Sequence, residues 1–254
     1  RAVSTEVSRL EADVVVVGAG LSGLCSAVSA VENGASVIVL EKLAVTGGSA
    51  KASLGSYLIC EVPENEGYHV SEEKDTLDAA MERWMDYQAN SVRVSPYPDE
   101  ERLKEQLVQS MFTIGWLETQ GASFTPKSPI AERGMAMAQG DVVTDSTDGR
   151  AAAKILNRLK AVAEEKGVQI YTETPATELI EENGVIAGVR ADSPSGPVEV
   201  RARNVILASG GFACNGEMFS ELIPEIPEVF TISSVGNTGD GIAMAQAVGA
   251  AVFE

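Results

Sequence analysis

At 254 residues the chain can form one large α/β domain or two small ones, and it is long enough to bury a real core. Hydrophobic residues make up 44% of it, an ordinary globular share that argues against disorder over most of its length. A formal charge of −18 opposes a nucleic-acid backbone or an anionic membrane surface as partner, although a helix N-terminus can still hold a small anion.

Asp13 to Val17 is a short apolar run rich in valine, and a glycine-rich turn follows it at once. Leu21 to Glu32 reads as a helix carrying the small residues Ala27 and Ala30 and closing at Gly34. Ser36 to Leu40 is a second strand, apolar on both faces as in parallel sheets. Together they make a βαβ unit of about 30 residues.

From Ser71 the period becomes helical. Leu77, Ala80, Met81, Trp84 and Gln88 share one face of a first helix. Leu103, Leu107, Met111, Ile114 and Leu117 share a face of a second, which ends at Gly121. Thr125 to Asp148, rich in Pro, Gly and polar residues, reads as a long surface loop. A third helix has Ala152, Ile155, Leu156, Leu159 and Val162 as its apolar stripe and Gly167 as its stop.

Val168 to Tyr171 is the next strand. Glu178 to Ile180, Val185 to Arg190 and Val198 to Ala202 then read as small antiparallel strands, with turns at Asn183-Gly184 and around Pro194 to Gly196. Asn204 to Leu207 is a further buried strand running into Ala208-Ser209-Gly210-Gly211. A last helix starts at Asp240, and Ala251-Val252-Phe253 begins to resemble a strand, so the chain is expected to be a piece of a longer protein.

Other chemistries find little material. Cys25, Cys60 and Cys214 are far apart and odd in number, poor material for a disulfide framework. His69 is the single histidine, and no Cys-x-x-Cys or His-x-x-x-His spacing accompanies it, so metal and hydrolytic sites are disfavoured. No apolar run approaches the roughly 20 residues of a bilayer span. Arg1 rather than Met stands first, which leaves the compartment open.

Gly18-Ala19-Gly20-Leu21-Ser22-Gly23 fits G-x-G-x-x-G between a strand and a helix, and Glu41 ends the next strand. That is a dinucleotide fingerprint. Gly18 makes the tight turn, Gly20 lets backbone approach a pyrophosphate, and Gly23 lets the helix pack on the strand. The helix N-terminus offers the anion free N–H groups and a partial positive charge. Glu41 can accept hydrogen bonds from a ribose. NAD and FAD fit this equally. The next segment, Thr46-Gly47-Gly48-Ser49-Ala50-Lys51-Ala52-Ser53-Leu54-Gly55, is a small-residue loop suited to the close approach of a large flat ligand, where a plain nicotinamide dehydrogenase would continue into another helix.

With Asp13-Val-Val-Val-Val-Gly-Ala-Gly, Glu41-Lys42, Gly47-Gly48-Ser49, Asn204-Val-Ile-Leu-Ala-Ser-Gly-Gly-Phe212 and Thr238-Gly-Asp-Gly241, the sequence resembles the flavoprotein subunits of the fumarate reductase and succinate dehydrogenase superfamily. It is most similar to the soluble branch that includes flavocytochrome-type fumarate reductases, urocanate reductases and 3-ketosteroid dehydrogenases. The resemblance implies an α/β fold: a Rossmann-like FAD-binding domain over residues 1–254, with a parallel central sheet, a small antiparallel meander and a helical insertion at about 71–166. It also implies roles. Ala19 and Gly20 to Gly23, Ser22 among them, would face the pyrophosphate, Glu41 the adenosine ribose, and Ala176 the adenine, with Lys42 a further cofactor-binding residue. Ala208, Ser209 and Gly210 would close over the adenosine half. Gly48, Ser49, Ala50, Leu54 and Gly55 would lie along the isoalloxazine, and Asp240 near the flavin side, with helix capping as its alternative role.

Membrane-bound members carry a histidine after the double glycine that bonds FAD covalently; none stands between Gly47 and Tyr57, so the resemblance implies non-covalent FAD. It also places the substrate-binding His and Arg residues in later parts, a capping domain and the returning remainder of the FAD domain, so no catalytic residue is assigned and these residues alone are expected to be inactive. The implied activity is hydride transfer between flavin N5 and an activated C–C bond, with an external electron donor or acceptor. A non-catalytic FAD-binding module and an NAD(P)-dependent dehydrogenase are the competing readings.

Overall fold

In the computed structural model of the protein, the described residues are 6–52, 77–79, 81–82, 100–122, 151–224 and 230–252. The first strand, β1 (Ser8–Val17), begins well before its apolar run. Backbone pairing explains the extension. The strand β6 (Gly196–Leu207) runs parallel to β1 from Ser8↔Val198 to Val17↔Leu207, so the polar residues Ser8 and Arg9 are held in the ladder although exposed.

The helix α1 (Leu21–Glu32) buries Gly23, Leu24, Ala27 and Val28 and packs on β1, β2 (Val37–Leu40) and β6. All four residues of β2 are buried, as is the end of β1 from Val14 to Val17. Both faces of the parallel centre are therefore covered, which is why these strands read as unbroken apolar runs. The strand β3 (Gln169–Tyr171) pairs parallel with β2.

The largest departure from the sequence expectation is on the other side of β1. The runs at Val198 to Ala202 and Asn204 to Leu207 belong to one continuous strand, β6. No turn-forming residue separates them, and a partner lies on both sides: β1 in parallel, and β5 (Val185–Ser193) antiparallel from Gly188↔Arg201 to Ser193↔Gly196. With β4 (Ala176–Glu182) on the outer edge, the result is one six-stranded sheet of order β3-β2-β1-β6-β5-β4. The meander extends the parallel sheet, and they share a core in which Val15, Ile38 and Leu40 join Val189, Val200 and Leu179. The turn at Asn183-Gly184 is as expected, with φ of 54° and 80°, the left-handed pair that closes a two-residue hairpin.

The remaining helices are α2 (Glu100–Thr119), α3 (Ala151–Glu165), α4 (Gly216–Leu222) and α5 (Asp240–Ala247). In α3 the predicted stripe of Ala152, Ile155, Leu156, Leu159 and Val162 is buried. In α2 Ile114 and Leu117 are buried; the side chains of Leu103, Leu107 and Met111 lie outside the described part. Of the first predicted helix, the described residues 77–79 and 81–82 are helical, and the rest lies outside them, as do the Thr125 to Asp148 loop, Leu54 and Gly55. The sequence reading missed α4, a short helix whose N-cap Asn215 accepts a bond from the Met218 amide at 3.1 Å. Ala251 and Val252 form no strand.

The chain divides into two compact units, one of residues 1–53 and 155–254, the other of 54–154. The sheet, α1, α4 and α5 all belong to the first. Among the described residues no helix is long and apolar enough to cross a membrane.

Candidate cofactor site

The carboxyl ends of β1, β2 and β6 converge, and the loops leaving them are laced together by backbone bonds. The Gly18 amide donates to Leu40 O at 2.7 Å, Ala208 to Val17 O at 2.8 Å, and Gly47 to Ala19 O at 2.7 Å. This is the edge of an open α/β sheet where ligands bind. A cleft of about 450 Å³ lies there.

Thirteen of the residues singled out from sequence line it: Gly18, Gly20, Ser22, Glu41, Lys42, Gly48, Ser49, Ala50, Ala176, Ala208, Ser209, Gly210 and Asp240. Two others stand behind the wall. Ala19 is fully buried, and Gly23 is pressed against the turn.

The three fingerprint glycines turn out to answer to three different demands. Gly18 sits at φ +102° with a hypothetical Cβ 2.5 Å from Ala208 O, so the turn and the β6 loop exclude a side chain there. A Cβ on Gly23 would come 1.9 Å from Gly18 O. Gly20 is different. Its φ of −77° suits any residue and nothing lies within 4 Å of its missing Cβ, so the protein's own packing does not require glycine. The space beside it is in the cleft. Gly20 is also the N-cap of α1 and caps no amide with a side chain, and the first turn holds no acidic residue. The helix therefore presents free N–H groups and its positive end to the cleft.

Glu41 does more than the sequence suggested. Its Oε2 accepts from the Ala19 amide and its Oε1 from the Leu43 amide, both at 2.8 Å. The carboxylate thus braces the phosphate-type turn against the end of β2, keeping its remaining lone pairs for a ligand.

Lys42 reaches across the cleft wall to Asp240 Oδ2 at 2.7 Å and also bonds the Thr238 hydroxyl, which donates to Asp240 Oδ1 at 2.7 Å. Burial pushes the Asp240 carboxyl up, but the bonds from Lys42 and Thr238 and the lysine charge outweigh it and hold the group below the ordinary carboxylate value of 3.8. Asp240 does not cap α5. That position belongs to Gly239 at φ 81°, which has no capping side chain, and Asp240 is the first helical residue, where its charge favours the helix dipole. Gly241 allows this junction to close, since a Cβ there would lie 2.2 Å from Ser209 Oγ.

The double-glycine loop is a short 3₁₀ helix, Gly48–Ala52. Ser49 Oγ accepts from the Ser234 amide at 3.0 Å, which draws the loop at 234–238 to the cleft. Ser234, Gly236 and Asn237 line the cleft as well. Sequence reasoning missed them, although Gly-Asn-Thr-Gly directly before Asp240 was a usable signal for a tight, functional loop.

The sequence pattern of the FAD binding domain matches residues 13–254. The chain belongs to the FAD binding domain family. It is 30% identical to the vinyl phenol reductase of Lactiplantibacillus plantarum over 94% of this chain and 46% of that protein. The urocanate reductase of Eggerthella lenta is 28% identical over 96% of this chain and 39% of its own length. Among solved structures, 3-ketosteroid-Δ4-(5α)-dehydrogenase from Rhodococcus jostii RHA1 superposes with a TM-score of 0.80 at 26% identity, over 97% of this chain and 55% of that one. The chain thus spans less than half the length of these curated relatives. The features of the cleft fit FAD, the cofactor of this family: an uncapped helix N-terminus for the pyrophosphate, clearance at Gly20 for its approach, and carboxylate lone pairs at Glu41 for a ribose.

Proposed function

We propose that this chain is the non-covalent FAD-holding part of an oxidoreductase that moves hydride between flavin N5 and an activated C–C bond. The observation that carries the reading is the convergence of Gly20, Glu41, Ser49, Ala176, Ser209 and Asp240 on one cleft at the switch edge of the sheet. When bound, FAD supplies the hydride chemistry, and the protein supplies binding and orientation. The α1 amides and Gly20 would hold the pyrophosphate, Glu41 the ribose, and Ala176 the adenine. The loop from Gly48 through Ser49 and Ala50 would lie along the isoalloxazine; Leu54 and Gly55, assigned to the same edge from sequence, lie outside the described residues. Lys42, Thr238 and Asp240 would fix the facing helix end.

The names of the relatives, reductases of vinyl phenols, fumarate and urocanate and dehydrogenases of steroids, support CH–CH chemistry over a nicotinamide dehydrogenase or a binding module. We assign the domain to residues 1–254 with a helical insertion at about 71–166. The groups that hold the substrate would come from outside these residues, and electrons from an external partner. Titration with FAD, followed by flavin fluorescence and the blue absorbance bands, tests the cofactor reading. Saturable binding supports it; absence of binding, or preference for NAD, refutes it. For the reaction class, the whole enzyme reduced with a viologen should be reoxidised by an α,β-unsaturated acid or ketone and not by a saturated ketone or aldehyde.

A further inference from the structure

We infer that the side-chain carbonyl of Asn237 accepts a hydrogen bond from a hydroxyl or N–H group of bound FAD; this rests on the cofactor reading above. Asn237 lies in the loop drawn to the cleft by Ser49, and it lines that cleft beside Ser209 and Gly210. Its main chain is fully occupied. The amide donates to Ser234 O at 2.9 Å, and the carbonyl accepts from the Cys214 amide at 2.9 Å. Next to it Gly239 N donates to Gly211 O at 2.8 Å, and Asn215 Nδ2 donates to Thr238 O at 3.0 Å. Backbone bonds and the Asn215 side chain thus hold the loop on both sides without help from the Asn237 side chain.

That side chain is the anomaly. Asn237 Oδ1 is buried and finds no donor among the described residues. The two carboxylates lining the same cleft behave otherwise, since Glu41 and Asp240 are both paired inside the protein. Two glycines pack against the oxygen. A Cβ on Gly210, which sits at φ +83°, would lie 3.1 Å from it, and one on Gly211 3.5 Å. Buried acceptors are almost always paired, so an acceptor held in place and left without a donor among the described residues marks a contact completed by a ligand. The chemistry restricts which part of the ligand. A carbonyl oxygen cannot pair with phosphate oxygens, and FAD carries suitable donors in its ribose and ribityl hydroxyls, its flavin N3–H and its adenine amine.

The prediction is a split between stability and affinity. Asn237→Leu has similar volume and removes the unpaired acceptor. Its FAD-free melting temperature should equal or exceed that of the unaltered protein, while its Kd for FAD rises about tenfold to a hundredfold. Asn237→Asp keeps acceptor oxygens but loses the amide donor, and it should bind FAD at least severalfold more tightly than Asn237→Leu. Both are measured by fluorescence titration with FAD and by thermal melts without it. The inference is overturned if Asn237→Leu binds FAD as well as the unaltered protein. It is equally overturned if affinity and FAD-free stability fall together, since that is the mark of a merely structural side chain. Failure of the unaltered protein to bind FAD would be a separate result, and would overturn the cofactor reading itself.

Discussion

Glu41→Ala separates bracing from ligand binding, and its size can be worked out bond by bond. The carboxylate accepts two backbone amides at 2.8 Å. The Ala19 amide belongs to a residue with 0% exposure, so water cannot replace the lost partner. A charge-assisted bond lost in that way costs about 1.5–3 kcal/mol. Leu43 is half-buried, and water can meet its amide, so its bond adds about 0.5–1 kcal/mol. The sum is about 2–4 kcal/mol, which in a domain of this size lowers the melting temperature by something on the order of 10 °C. Glu41→Gln should fall in between, because one amide keeps an oxygen acceptor while the other meets an NH₂ group. Melts without FAD measure this. FAD affinity in Glu41→Ala should also fall, at least tenfold to a hundredfold, from the lost ribose bond together with the loosened turn. A FAD-free melting temperature unchanged in Glu41→Ala would refute the brace, and an unchanged Kd would remove Glu41 from the ligand contact.

The two glycines at the N-terminus of α1 should respond in opposite ways: Gly23→Ala, with a Cβ 1.9 Å from Gly18 O, should destabilise the FAD-free protein severely. Gly20→Ala, with nothing within 4 Å, should leave the melt within a few degrees and weaken FAD at least tenfold, as titration would show. Asp240 has a depressed carboxyl, so its pairing with Lys42 and Thr238 contributes stability above pH 3.8 that is lost as pH falls through the lower folded value. Asp240→Asn should therefore be less stable near neutral pH and show a shallower acid decline in melting temperature. The pair is partly exposed, which keeps the difference small. Acid precipitation of FAD-loaded protein should leave the yellow colour in the supernatant; colour in the pellet would mean a covalent bond.

Where a residue's neighbours in sequence decide its conformation, the fold was legible. The buried runs at Val14–Val17 and Val37–Leu40, the α3 stripe and the Asn183-Gly184 turn needed no distant partner to be read. The fusion of the meander with the parallel sheet was not legible, because it depends on Ser8–Ala12 lying beside Val198–Ala202, a pairing between residues nearly two hundred positions apart. Nothing in Arg9 or Glu11 announces a strand. Only the partner makes them one. The short helix α4 was missed for a milder reason: a single turn or two leaves too few apolar positions for a period, and Asn215 as a cap was the sole local signal.

The site divides along the same line, and Glu41 and Gly20 show how. A fingerprint gives each position a reason, and the structure shows which reasons the protein's own atoms supply. Sequence reasoning already assigns Gly18, Gly20 and Gly23 separate tasks, and the atoms divide them the same way: two are demanded by the protein's own packing and one is not. The reverse holds at Glu41, where a residue read as a ligand contact is first a structural brace whose bonds to Ala19 and Leu43 are made within the protein. A motif position that packing and φ leave unexplained is the stronger sign of a ligand, because only something outside the chain can be what it makes room for. By that criterion Gly20 argues for the pyrophosphate more directly than Glu41 argues for the ribose.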